Sequence, residues 1–376
     1  MDLKENINQI LLILIFLIVA VSYNFIYLFQ YMSYGGYLLP YDFNTYLYLI
    51  LAVLMVAGSF IPLVIYLFYG REPEIDYNTM YEYDLPTDDP PAIVNAICGS
   101  SGYKKIGIPD IDGFNATIMD LIDRNYLILK DVQFDGDDLN SHGSVFLEIN
   151  TDKDVSSLWE FERVILDFLI EYEQDGIISM DLISESMSYI ESAEFFRETY
   201  EKWAYEVKQT LINDGNLKKA FLRKGDKYIK IFGILGLAVA LIAQVFIRVN
   251  PLAAVYYMGV SSIILGASSA ISIVMPEKIA GRWTEYGREY YAHWDSFKTY
   301  VEDFSLIKEY PPNSVNLWNR YLVYATALGV AHGVKKAMEF SLPKDILREN
   351  DIYMFQYDNT PTSVLTNAIN SALEPD

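Results

Sequence analysis

Hydrophobic residues are distributed along this chain in two ways: as runs apolar on every side, and as stripes that return every three or four positions. Residues 10 to 30, ILLILIFLIVAVSYNFIYLFQ, and residues 45 to 69, TYLYLILAVLMVAGSFIPLVIYLFY, carry no charge. As helices, both are long enough to cross about 30 Å of hydrocarbon. A second pair, 229 to 247 and 252 to 275, flanks the short turn RVNP. Tyr and Trp crowd the edges of these runs, as interface residues do. Pro62 predicts a kink in the second run. Ser262, Gly266 and Ala270 recur at four-residue spacing, which predicts close helix packing in the fourth. No run interior holds an ionisable group that would guide an ion or proton, which argues against a pore.

Between the two pairs the pattern changes to stripes. Residues 71 to 90 are rich in Pro and acid and read as an extended linker lifting the next domain off the bilayer. A short helix follows in AIVNAICGS. Phe114, Ile118, Leu121 and Ile122 then fall at i, i+4, i+7 and i+8, one helical face, with Asp112 placed as its N-cap. YLILKDV and VFLEI predict two strands joined by QFDGDDLNSHG. This order, over 91–155, is that of a winged-helix module. Residues 156–228 predict a helical extension: Leu158, Phe161, Ile165 and Phe168 share a stripe, and a longer helix runs from about Ala193 to Ile212. Its acids Glu191, Glu194 and Glu198 read as a solvated face.

After the fourth run, Ile279, Trp283, Tyr286, Tyr290, Trp294, Phe297, Val301 and Phe304 predict one long amphipathic helix. EYPPNS ends it. VNLWNRYLVYATALGVAHGVKKAM predicts a second helix, with Ala325, Gly329 and Gly333 four apart and suited to a close helical hairpin. Its uncharged stretch, Tyr321 to Ala331, is too short to cross a membrane. The expected fold class is therefore a mainly α membrane protein. Four transmembrane helices (two within 1–70, two within 229–275) accompany a cytoplasmic winged-helix-like α+β module and a C-terminal helical hairpin over 276–340. A tail over 341–376 completes the chain.

Charge adds orientation. The formal net charge is −22, yet Lys and Arg cluster at one end of each run. The loop 31–44 has none and the RVNP turn only Arg248, whereas LKKAFLRKGDKYIK precedes the third run and Lys278 and Arg282 follow the fourth. By the positive-inside rule, both termini and both large soluble segments are expected to be cytoplasmic, in an inner membrane. A cleaved signal peptide is the alternative for the first run, but its apolar core is longer than a signal core and only Lys4 precedes it. Lys218, Lys219, Arg223, Lys224, Lys227 and Lys230 either only enforce orientation or also touch anionic lipid headgroups, at about 1 kcal/mol each.

Candidate chemistry is sparse. Cys98 is the single cysteine, so an intramolecular disulfide and zinc sites built on Cys pairs are excluded. His142, His293 and His332 make no ligand spacing. His293, Asp295 and His332 have no nucleophile or oxyanion donor beside them, so no catalytic residues, cofactor or metal are expected. DGDD at 135 to 138 lacks the alternating ligands and closing Glu of an EF-hand.

A DNA-reading helix and wing need Lys and Arg for phosphates. The outward positions expected here are Asn115, Asp120, Asp123 and Arg124, and the wing adds Asp135, Asp137 and Asp138. Lys104 and Lys105 are the local basic pair, a solvated turn. Nucleic acid is thus an unfavoured partner, and those four helix residues are expected to form a protein-docking face.

Two stretches carry a family likeness. PPAIVNAI followed by FNATIMDLIDRNYLILKD, and HWDSFKTYVEDFSLIKEYPPNSVNLWNRYLVYATALGVAHGV, resemble a family of predicted membrane proteins catalogued as domain of unknown function 2207. The likeness covers about 70 to 340. It implies a winged-helix-like cytoplasmic unit after a Pro-rich lead-in, and it brings no reaction, cofactor or substrate. Family members often begin with a signal peptide and an extracytoplasmic β-rich domain; here a short Tyr-rich loop takes that place, so any task of such a domain is expected to be missing or supplied by another polypeptide. The expected function is a membrane-anchored protein-binding or scaffolding module, with a membrane-tethered transcription regulator as the alternative and a transporter or intramembrane enzyme last. The bilayer and an unidentified protein are the expected partners.

Overall fold

In the computed structural model, residues 43–99, 105–134, 143–213, 215, 219–249 and 252–357 are described. The first apolar run, most of the loop after it, Lys104, Lys218, the wing acids Asp135, Asp137 and Asp138, and the chain beyond 357 lie outside the described residues. The molecule is mainly helical, with a few short strands, and divides into two units: 1–73 with 221–284, and 74–220 with 285–376.

The first unit is built from the apolar runs. Helix Phe43–Gly58 stops at Ser59 and Phe60, and a second helical segment, Ile61–Ile65, continues as a π turn over Tyr66–Gly70. Pro62 lacks an N–H and its ring crowds the carbonyl one turn back, so the irregularity falls just before it. Two helices among the described residues are long and apolar enough to cross a membrane, Tyr46–Gly70 and Lys224–Ile247, and Met258–Val274 is a shorter apolar helix. Large apolar side chains point outward along the two: Ile50, Leu54, Leu63, Ile234 and Ile242 are exposed, and Phe68 is 73% exposed. An apolar surface that continuous suits hydrocarbon rather than water.

Inside this unit the helix Leu252–Val274 packs on both neighbours through small residues. Ser262, Gly266 and Ala270 are buried, as their spacing implies. A Cβ at Gly233 would lie 2.9 Å from the Ser269 carbonyl oxygen and 2.7 Å from Ile273, which is why glycine stands there. The Gln244 amide donates to Ser262 Oγ at 2.8 Å, and Ser268 Oγ to the Ser59 carbonyl at 2.8 Å. The expected long amphipathic helix from 277 is interrupted: Gly281 ends the turn Glu277–Ala280, and Arg282–Trp283 pairs antiparallel with Phe221–Leu222.

The second unit carries a four-stranded antiparallel sheet. Its order is Leu127–Phe134, Gly143–Ile149, Ile177–Ser179, Glu173–Gln174. Helix Ile111–Asp123 packs on its first strand and against helices Pro91–Cys98 and Glu160–Ile170, and the helix Ile190–Asn213 packs on Glu160–Ile170. Leu158, Phe161, Ile165 and Phe168 are buried, as their stripe predicts. Phe114 meets Phe196 and Trp203 edge-on, at 5.8 Å and 5.1 Å between ring centres. Helix Ile111–Asp123 begins after Asp110, so Asp112 is a first-turn residue and not the N-cap. The Asn95 amide donates to Asp110 at 2.6 Å and to the Ala327 carbonyl at 2.8 Å, tying three helices together.

The C-terminal helices close over this core. The second helix predicted from 315 is two helices, Val315–Ala327 and Ala331–Ser341. Gly329 adopts φ +72° between them, and the Gly329 and Val330 N–H groups cap the Thr326 and Ala325 carbonyls. That left-handed turn ends a helix cleanly, so Ala325, Gly329 and Gly333 do not share one face. Part of the expected tail also belongs to the core: Ile352, Tyr353, Met354 and Phe355 are buried. Residues 74–90 have no regular structure but lie strapped to this unit by tyrosine hydroxyls: Tyr324 donates to the Asp89 carbonyl at 2.8 Å, Tyr290 to the Asp89 carboxylate at 2.9 Å, and Tyr321 to the Tyr83 carbonyl.

Candidate binding site

The four expected docking residues lie on helix Ile111–Asp123 and its C-cap, and that helix is enclosed. Every residue from Gly113 to Ile122 is buried, because Val315–Ala327 covers the side that the charge pattern left open. Asn115 and Asp120 are therefore corrected from surface to interior. Asn115 is fully buried with neither end of its amide hydrogen-bonded.

Asp120 forms an ion pair with Arg124 at 2.8 Å and accepts a hydrogen bond from Arg320 at 2.6 Å. Arg124 reaches on to Glu162 at 2.5 Å, and Arg320 to Asp123 at 3.5 Å. Arg320 also donates to the Tyr324 hydroxyl at 2.8 Å. Burial pushes the Asp123 carboxyl up from its ordinary value, with Arg320 pulling the other way. Burial does the same to Glu162, opposed by Arg124 and by the Trp159 N–H. The two basic side chains are thus committed to an internal five-member network. The sequence showed only Asp120, Asp123 and Arg124 of it, since Glu162 and Arg320 lie 38 and 200 residues away.

Beside this network is a cavity of about 520 Å³, open to solvent and wholly within the second unit. Its wall includes Asp123, Asn125, Asn316, Asn319, Arg320 and Asn350. Asn125 ends the helix at φ +60°, a conformation asparagine tolerates better than most residues. Asn350 donates to Asn319 at 2.6 Å and accepts from the Tyr353 N–H at 2.8 Å, so the floor is braced. Asn316 is exposed at the mouth. Side-chain amides offer a donor and an acceptor on one plane, the pattern needed by a peptide backbone. No period or motif in the sequence announced this groove.

The basic run near the third span is partly used internally. Arg223 pairs with buried Glu277 at 2.6 Å and Lys230 with Asp226 at 2.7 Å. Lys224 and Lys227 are exposed, and Lys219 has interactions of its own. His293 pairs with Glu82 at 2.7 Å rather than with Asp295, and Tyr77 donates to the same Glu82 oxygen at 3.0 Å. Among the described residues no group of three or more His, Cys, Asp or Glu is placed to hold a metal ion.

Two helices long and apolar enough to cross a membrane, in a chain that also carries a polar α+β unit, agree with a membrane protein. The family model described as the C-terminal domain of predicted membrane proteins DUF2207 matches residues 78–338, and the chain belongs to that family. No curated protein and no solved structure matches it.

Proposed function

We propose that this protein is a membrane-anchored docking module that binds a protein partner through the amide-lined groove. The observation that carries the reading is the groove itself, a concave polar surface braced by Asn319 and Asn350 and large enough for a short peptide segment. In this reading four spans hold the chain in the inner membrane, including the 10–30 run, and both large soluble segments face the cytoplasm. The clustering of Lys and Arg at one end of each run supports that orientation. The protein is a scaffold rather than an enzyme in this account.

The second unit is taken as a winged-helix-like fold read from a shifted starting point. Two helices and the hairpin come first; the helix Glu160–Ile170 and the strand Ile177–Ser179, which pairs with the hairpin's second strand, come after. Burial of Asn115 and Asp120 removes the base-reading use of that shape. Chemical cross-linking of the full protein in native membranes tests the reading. Discrete protein adducts on the second unit are expected. Tight, sequence-selective retention of duplex DNA at physiological salt, without protein adducts, would overturn it.

A further inference from the structure

A second surface of the same unit has a different chemistry from the groove. Between residues 167 and 198 most of the exposed side chains are apolar or acidic, with Gln174 and Ser188 the neutral polar ones. Ile170, Ile177, Leu182, Tyr189, Ile190 and Phe195 are exposed, Ile190 to 80%. The buried ring of Phe168 joins the elements beneath them. It lies 5.2 Å from Tyr172, which follows Ile170, and 5.9 Å from Phe195 on the next long helix. Isolated exposed apolar residues are ordinary, but six in one stretch of linked helix, hairpin and helix are not.

Acids are interleaved with them along the chain. Asp167, Glu171, Glu173, Asp175, Asp181, Glu185, Glu191, Glu194 and Glu198 fall in this stretch, against Arg197 as the one base. An anionic membrane surface is repelled by such a stretch, and so is nucleic acid. We propose that this surface docks a basic amphipathic segment of a partner protein, whose apolar face covers Ile190 and its neighbours while its Lys and Arg meet the interleaved acids. Apolar anchors supply affinity and the acids supply orientation and encounter rate. The inference does not depend on the groove, and the two fail separately.

The test uses the full protein in nanodiscs of zwitterionic lipid. The probe is a fluorescent Lys/Leu amphipathic helix of about 18 residues, five turns. It is compared with a twin bearing Glu for Lys and with a scrambled isomer of the same composition. Binding is expected for the amphipathic basic peptide, with the twin and the isomer each about tenfold weaker or worse. Ile190→Asp, at a site too exposed to unfold the unit, and the pair Glu191→Lys with Glu194→Lys should each weaken binding by about tenfold. Asn316→Ala, in the groove, should leave it unchanged. Equal binding of the scrambled isomer, or wild-type binding by the Ile190 variant and by the Glu191/Glu194 pair, would overturn the proposal. So would recruitment of phosphatidylserine vesicles in place of the peptide.

Discussion

Asp120 sits between two guanidinium groups with 5% of its side chain exposed. Removing it leaves Arg124 and Arg320 without their shared acceptor in a partly desolvated place. Asp120→Ala is expected to cost about 3 kcal/mol, the lower end for breaking a buried pair because both arginines keep some solvent. A lowered unfolding midpoint of the purified protein would show it. Asn115 predicts the opposite sign. Its buried amide makes no hydrogen bond, so Asn115→Leu should raise stability by about 1 kcal/mol; a fall in melting temperature would mean that the amide has a structural partner after all. Asp123 and Glu162 have carboxyls raised by burial from 3.8 and 4.5. A raised carboxyl contributes stability that is full below the unfolded value and is lost as pH rises through the folded one. Asp123→Asn should therefore flatten the decline in melting temperature as pH rises above the ordinary aspartate value. Asp120, Asp123 and Arg124 were visible in the sequence as a charge pattern. Their burial was not, because the covering partner, Arg320, is 200 positions away.

Elements were more legible than their surroundings. Periodicity gave the helices around Phe114 and Phe168 and the hairpin strands, because a 3.6 or 2.0 repeat is a local property. It also ran through two real breaks. The stripe from Ile279 to Phe304 hides the interruption at Gly281, and the one from Val315 hides the left-handed turn at Gly329. A periodic pattern is blind to a glycine that ends a helix without changing hydrophobicity, whether extended like Gly281 or left-handed like Gly329. In the membrane-facing unit, Gly233→Val would push a branched side chain into the Ser269 carbonyl. It should lower the melting temperature of the detergent-solubilised protein by several degrees, while Val239→Ile, at an exposed position of the same helix, should not. The strap over 74–90 offers a milder test. Glu82 accepts from Tyr77 and pairs with His293, so Glu82→Gln should speed amide hydrogen exchange across that strap and leave exchange in helix Ile111–Asp123 unchanged.

At the scale of the whole molecule, block composition decided most of what could be read. A −22 chain with long uncharged runs separates by composition alone into a lipid-facing part and a polar part. The groove was invisible for a physical reason. Asn125, Asn316, Asn319 and Asn350 come from three chain segments, and no local pattern links them. The proposed orientation predicts that a cysteine at exposed Glu201 reacts with a membrane-impermeant maleimide only after the membrane is permeabilised. The docking role is tested most directly by a photo-reactive amino acid placed at Asn316 in the intact protein in native membranes, with exposed Asp152 as the comparison site. The account predicts a discrete protein adduct from Asn316 that disappears when Asn319 and Asn350 are both replaced by alanine in a protein that still melts cooperatively. Equal labelling from both positions, or no protein adduct from Asn316, would contradict it.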